Sequence, residues 1–259
     1  MGVMLTIGYL SDLHLEVMPK TDFERIDKVV EAWRDVDVLV VAGDFSSNMS
    51  TANNPLKIPM IVNRLFQLCV QMLKTEIVYV PGNHEYYTSS FPIIDHLLVN
   101  LSNQVTNLHV LNNAVEIIHG QRFVGTTLWF PHRKYDVDQR LADFTHIHNF
   151  SCEVEERARV ASNFLVRALQ PGDVLVTHHL PSHSCVAADK VNSTLNRFYV
   201  HNHAPLIEEV RPALCIHGHS HTSWDQEAEG TRYLRNPYGY AGYQVNPDFQ
   251  FGASVTIGD

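Results

Sequence analysis

Five short polar clusters, each placed directly after an apolar run that reads as a β-strand, constrain this chain more than any other feature. They are Asp12-Leu13-His14, Gly43-Asp44, Gly82-Asn83-His84-Glu85, His178-His179 and Gly218-His219-Ser220-His221. In an extended segment, residues two apart point to one side, so Asp12 and His14, and again His219 and His221, can face a common point. Gly43-Asp44 ends a strand that is otherwise apolar, where a carboxylate has a role only as a cap or as a cation ligand. A carboxylate has two oxygens, and Asp44 is the expected bridge between two ions, holding one with each. Pro81-Gly82 is a turn that lets the backbone approach a ligand closely and projects Asn83 and His84 at the strand's end. His178 is expected to be the ligand rather than His179, because it follows the strand Val174 to Thr177 directly.

Between the clusters, apolar runs rich in β-branched residues alternate with segments of helical period. Strands are expected at Met4 to Leu10, Asp37 to Ala42, Ile77 to Val80, Asp173 to Thr177 and Ala213 to Ile216. Helices are expected at Asp22 to Arg34, from Pro59 through Leu73, at about Pro92 to Leu101, at Glu153 to Leu169 and at about Pro205 to Val210. Short strands around His109 to Leu111, Ala114 to Ile118 and Arg122 to Gly125 form an antiparallel meander turning at Gly120. Thr222 to Asp259 reads as hairpins and a closing strand. The pattern predicts an α/β (α+β sandwich) fold in which two mixed sheets pack face to face between helices, with the active loops at the strand ends. A single domain over residues 1–259 is expected, with loops at about 128–150 and 181–202 covering the substrate.

A chain of 259 residues with 45% hydrophobic content can bury a large core. The longest apolar stretch is too short to cross a bilayer and no basic leader precedes it, so a soluble cytoplasmic protein without membrane contact is expected. Cys69, Cys152, Cys185 and Cys215 lack the paired spacing of a zinc knuckle and read as buried free thiols. A formal net charge of -9 disfavours long nucleic acid as a partner, so positive charge has to come locally, from metal ions. The 16 histidines suit that role, since neutral imidazole is a common ligand for borderline metals.

The ordered set resembles the calcineurin-like metallophosphoesterase superfamily, whose D-x-H, G-D, G-N-H-E, H and G-H-x-H blocks all occur here between residues 12 and 221. The resemblance implies a β-sandwich of four layers with a binuclear centre at its edge. One metal would take Asp12, His14, Asp44 and His221, and the other Asp44, Asn83, His178 and His219, leaving His84 to contact the substrate. Many members continue the second block as G-D-x-x-D, whereas Gly43-Asp44 runs into Phe45-Ser46-Ser47-Asn48. The carboxylate that orients the histidine in those relatives is missing from its place, which also argues against a protein phosphatase of that branch.

The expected chemistry is hydrolysis of a phosphoester. Two cations about 3.5–4 Å apart remove the repulsion between an anionic ester and its nucleophile, and lower the pKa of a bridging water so that hydroxide is available for in-line attack. His84 then protonates the leaving oxygen or stabilises its charge. Mn²⁺ is the first expectation for both ions, with Fe or Zn²⁺ as alternatives. Aromatic planes beside a cation make Trp129, His132 and Arg133 candidates for substrate binding, and Tyr238 another, which suits a small nucleotide-like phosphodiester. The alternatives are a phosphomonoesterase acting on a small metabolite or phosphoprotein, and a non-catalytic metal-binding scaffold of the same fold. The oligomeric state has no signature in the sequence.

Overall fold

The computed structural model describes residues 4–17, 22–48, 59–132 and 140–258. Its first half runs β1 (Leu5–Leu10), α1 (Asp22–Ala32), β2 (Val38–Ala42), α2 (Met60–Gln71), β3 (Glu76–Val80), β4 (Ser89–Ser90), α3 (Phe91–Ser102), β5 (Leu108–Val110), β6 (Ala114–Ile118) and β7 (Gln121–Thr126). It continues through α4 (Asp143–His146), β8 (Ile147–His148), α5 (Phe150–Ala168), β9 (Val174–Thr177), α6 (Ala204–Val210), β10 (Leu214–Ile216), β11 (Trp224–Ala228) and β12 (Thr231–Arg235). The chain then closes with β13 (Gly239–Tyr240), β14 (Gln244–Val245) and β15 (Ser254–Ile257).

Two mixed sheets carry the architecture, in the orders β15-β1-β2-β3-β5 and β11-β12-β10-β9-β7-β6. Neighbours β1, β2, β3 and β5 are parallel, while β15 returns antiparallel along β1. In the second sheet β7, β9, β10 and β12 are parallel, and the hairpin partners β6 and β11 run antiparallel at its two edges.

The apolar runs are continuous because each sheet is covered on both faces. On β2 the alternation of side chains divides the run: Val38, Val40 and Ala42 meet Val174, Val176 and Ile216 of the other sheet, whereas Leu39 and Val41 meet the helices. α1 supplies Ile26 and Val29, and α2 supplies Ile61, Leu65 and Leu68, to that helix-covered face. On the far side, Ala161 and Leu165 of α5 and Ile207 of α6 cover Val124, Leu175, Cys215 and Tyr233. The result is a four-layer α/β sandwich, helices on sheet on sheet on helices, as the apolar patterning predicts.

Element ends fall within a few residues of the sequence reading, with three differences of substance. The expected three-stranded antiparallel meander is only a hairpin of β6 and β7, because β5 pairs parallel with β3 in the other sheet, where Leu108 joins the helix-covered core. α5 begins at Phe150, three residues before Glu153, because Phe150 joins Val154 and Ala158 on the buried face. The irregular segment that precedes it contains α4, and the segment at 181–202 contains three short 3-10 turns, His183–Cys185, Ala188–Lys190 and Thr194–Phe198. Cys69, Cys185 and Cys215 are buried free thiols, but Cys152 is exposed, because the first turn of α5 points it outward. No helix among the described residues is long and apolar enough to cross a membrane.

Candidate metal centre

The five polar clusters leave the C-terminal ends of β1, β2, β3, β9 and β10, and the two sheets bring those ends to one edge of the sandwich. Backbone hydrogen bonds carry the register past the strands: Asp12 N–H donates to Gly43 O at 3.0 Å, His14 N–H to Asp44 O at 3.0 Å, and Gly218 N–H to His178 O at 3.1 Å. Four of the converging residues adopt left-handed backbone: Asp12, His14, Asp44 and His219, with φ of 54°, 44°, 52° and 68°. Such a conformation costs about 1 kcal/mol or more for a residue with a Cβ, and it persists where the surroundings over-determine it. Glycines of the site lie too close to their neighbours to carry a side chain. A Cβ on Gly43 would run into the His178 ring, and one on Gly82 into the Asp44 carboxylate.

Two groups of donor atoms result. In the first, His14 Nε2 lies 3.1 Å from His221 Nε2, 4.0 Å from Asp12 Oδ1 and 3.7 Å from Asp44 Oδ2, and His221 Nε2 lies 3.6 Å from Asp12 Oδ1. In the second, His178 Nε2 lies 3.1 Å from Asn83 Oδ1, 3.2 Å from His219 Nδ1 and 3.4 Å from Asp44 Oδ2. A divalent cation with bonds of about 2.1 Å has neighbouring ligands roughly 3.0–3.4 Å apart, so most of these separations are those of a coordination shell. Donor chemistry agrees, with carboxylate, amide oxygen and imidazole together suiting a borderline divalent metal.

Asp44 touches both groups, but not with one oxygen each. Oδ1 accepts the backbone N–H of His84 at 2.9 Å, so Oδ2 alone faces both donor sets. The expected arrangement, one oxygen toward each donor set, is not the one seen, because Oδ1 is turned to the His84 amide.

The electrostatics call for positive charge at this spot. Asp12 and Asp44 are buried, and their ion-pair partners among the described residues are histidines. Burial penalises the charge on Asp44, yet His178 and His84 hold its carboxyl well below the usual range. Burial likewise disfavours a charged His178, and Asp44 overrides it, pushing the ring up to about 10. His179 turns the other way, its Nδ1 3.0 Å from Thr127 O and its ring against Trp129, and burial pushes it down to about 3.

Three residues to which the sequence reading assigned no role support the cluster. Glu16 places Oε1 2.9 Å from His84 Nδ1 and 3.2 Å from His14 Nδ1. It lies two residues beyond His14, so extending the two-residue spacing of the first block was a usable signal. Asp143 Oδ1 accepts from Asn83 Nδ2 at 2.7 Å and from Tyr87 Oη at 2.8 Å, which turns the Asn83 oxygen toward His178. Nothing in the local sequence marks it.

Glu85 is buried and accepts four backbone amides: Gly82 and Asp44 on Oε2, Phe45 and Ser46 on Oε1, at 2.6 to 3.3 Å. It clamps the loops after β2 and β3 together. Glu85→Ala is expected to cost at least about 3 kcal/mol, because each buried amide left unpaired costs about 1–3 kcal/mol. Urea denaturation measures this, and a loss below about 1 kcal/mol would show that the loops are held by something else.

A cleft of ≈ 470 Å³ opens over the centre, and Asp44, Asn83, His84, His219 and His221 form its floor. Its walls include Tyr87, Tyr199 and Tyr240, with Arg140 to Ala142 on one side and Val186 to Asn196 on another. The His84 ring stacks on Tyr87 at 4.2 Å between centroids, and its Nε2 lies 3.3 Å from the Tyr240 hydroxyl. The proposed substrate residues sit elsewhere. Trp129 is 2% exposed, inside an aromatic cluster with Tyr86, Phe91 and Phe150, because burying its large ring in the core outweighs displaying it. His132 is buried against Phe130 and Phe144, and Tyr238 packs on Phe249 while its neighbour Tyr240 faces the cleft. Arg133 lies outside the described residues.

Comparison with known proteins gives the family. Residues 5–223 match the calcineurin-like phosphoesterase family, and the chain belongs to that family. It is 28% identical over 135 residues to an uncharacterized protein of Acanthamoeba polyphaga mimivirus, a match covering 49% of this chain and 45% of that one. It is 27% identical over 145 residues to an uncharacterized metallophosphoesterase of Helicobacter pylori, covering 53% of this chain and 34% of the relative. The matches thus span less than half the length of these curated relatives. Among solved structures, the phosphopantetheinyl hydrolase of Mycobacterium tuberculosis superposes with a TM-score of 0.63 at 16% identity, over 93% of this chain and 91% of that one, which shows a shared fold.

Proposed function

We propose that the chain is a metal-dependent phosphoester hydrolase that holds two divalent cations and acts on a small nucleotide-like phosphodiester. The observation that carries this reading is the Asp44 oxygen placed 3.7 Å from His14 Nε2 and 3.4 Å from His178 Nε2, between two donor sets. Asp12, His14, Asp44 and His221 would hold one ion, and Asp44, Asn83, His178 and His219 the other. Bound there, the pair would neutralise phosphate charge and make a shared water acidic enough to supply a nucleophile near neutral pH.

The chain's own residues do the rest. His178 keeps Nε2 free for ligation because Nδ1 donates to Ala42 O at 2.9 Å. Asp143 holds the Asn83 amide in one orientation. His84 presents Nε2 to the cleft, where it can give a proton to the leaving oxygen. A cleft of ≈ 470 Å³ has room for a second ester substituent, and Tyr199 and Tyr240 offer faces on which a base can stack.

The test is a hydrolysis screen of the reconstituted protein with Mn²⁺, Zn²⁺ and Ni²⁺ compared. Bis-p-nitrophenyl phosphate should turn over faster than p-nitrophenyl phosphate. A preference for the monoester would favour a phosphomonoesterase, and no turnover with both sites loaded would favour a binding protein.

A further inference from the structure

An imidazole that serves a substrate through one nitrogen needs the other held, or the ring turns and its tautomer is undefined. The acceptor for His84 comes from the first polar block. Glu16 Oε1 lies 2.9 Å from His84 Nδ1, and the same oxygen lies 3.2 Å from His14 Nδ1. Its second oxygen accepts the backbone N–H of Ser47 at 3.0 Å, so both ends of the carboxylate are anchored, and only 9% of the side chain is exposed. With Nδ1 of both rings turned to Glu16, His14 Nε2 faces His221 and Asp44, while His84 Nε2 faces Tyr240 and the cleft. Ser47 occupies the place of the aspartate in G-D-x-x-D, and its backbone lies against the carboxylate that reaches in from position 16.

We propose that Glu16 is the positioning residue of His84, a carboxylate supplied from the first block in place of the second. By sharing one oxygen between two rings, it also ties the group that faces the substrate to a side chain of the proposed metal set. This rests on the reading of His84 as proton donor given above.

Three variants of the full chain test it: Glu16→Gln, Glu16→Ala and the double variant Glu16→Ala with Ser47→Asp. With cation and substrate both saturating, Glu16→Ala should lower kcat roughly 10- to 100-fold with KM little changed, the loss typical of removing a residue that orients a ligand or base. Glu16→Gln, which keeps an acceptor oxygen but loses the charge, should fall between it and the parent. The double variant should recover at least tenfold, since a carboxylate then rises from the backbone that Glu16 now contacts. Independently of turnover, proton NMR of the metal-free protein should show a protected His84 imidazole N–H far downfield, assigned by its loss in His84→Asn and absent from Glu16→Ala.

An unchanged resonance in Glu16→Ala would overturn the proposal. So would recovery of Glu16→Ala by excess cation alone, which would confine Glu16 to the His14 site, or a double variant no better than the single one. If the parent hydrolyses none of the esters, the hydrolase reading fails while the resonance still decides whether Glu16 holds His84.

Discussion

Asp44→Asn is expected to abolish the metal centre as a pair: bound cation falls from two per chain to fewer than one, and turnover by about 10³-fold or more. The geometry dictates how. Oδ1 already accepts the His84 backbone N–H at 2.9 Å, so an asparagine will set its oxygen there and point its NH₂ at the two donor sets that Oδ2 now faces. Two hydrogens then stand where the proposed ions would require a lone pair, and the negative charge that would draw them is gone. Elemental analysis after gel filtration, with kcat on the best ester from the screen, measures the effect. Two retained cations with turnover within about tenfold of the parent would mean that Asp44 is not the shared ligand.

His84→Ala should do the reverse, keeping the cations and losing the chemistry. Its ring nitrogens belong to neither donor set, since Nδ1 is taken by Glu16 and Nε2 faces Tyr240, while the backbone N–H that anchors Asp44 survives the substitution. A fall in kcat of about 10²- to 10⁴-fold is expected, the range for loss of a general acid. The loss should be larger for an alkyl ester than for a p-nitrophenyl ester, because p-nitrophenolate departs without a proton. Unchanged kcat at saturating substrate would remove His84 from the reaction, and loss of bound cation would make it structural instead.

The alternation on β2 shows why the layers were legible. Val38 to Ala42 has no polar face to offer, which in a strand demands cover on both sides, and the same holds for Val174 to Val176. The loops were less legible. Trp129 and His132 read as an exposed aromatic stretch, yet Phe150 of α5 packs on Trp129 and Phe144 of α4 on His132, and neighbouring aromatics gain more by burial than by display. Tyr238 and Tyr240 lie two apart in one segment, and only the packing of Phe249 against Tyr238 settles which of them faces the cleft.

What the amino-acid order determined by itself is the set of chemistry-bearing residues and their placement at strand ends, because that information is local: an apolar run that stops, then a ligand type, in three of the five clusters after a glycine. Tertiary structure alone decided which atoms meet. Glu16 reaches His84 across 68 positions and Asn83 reaches Asp143 across 60. Asp44 turns one oxygen rather than two toward the donor sets. Contacts of that kind are set by sheet register and by the packing of loops over the strand ends. No short window of sequence encodes either, since each depends on groups that the fold, not the chain, makes neighbours.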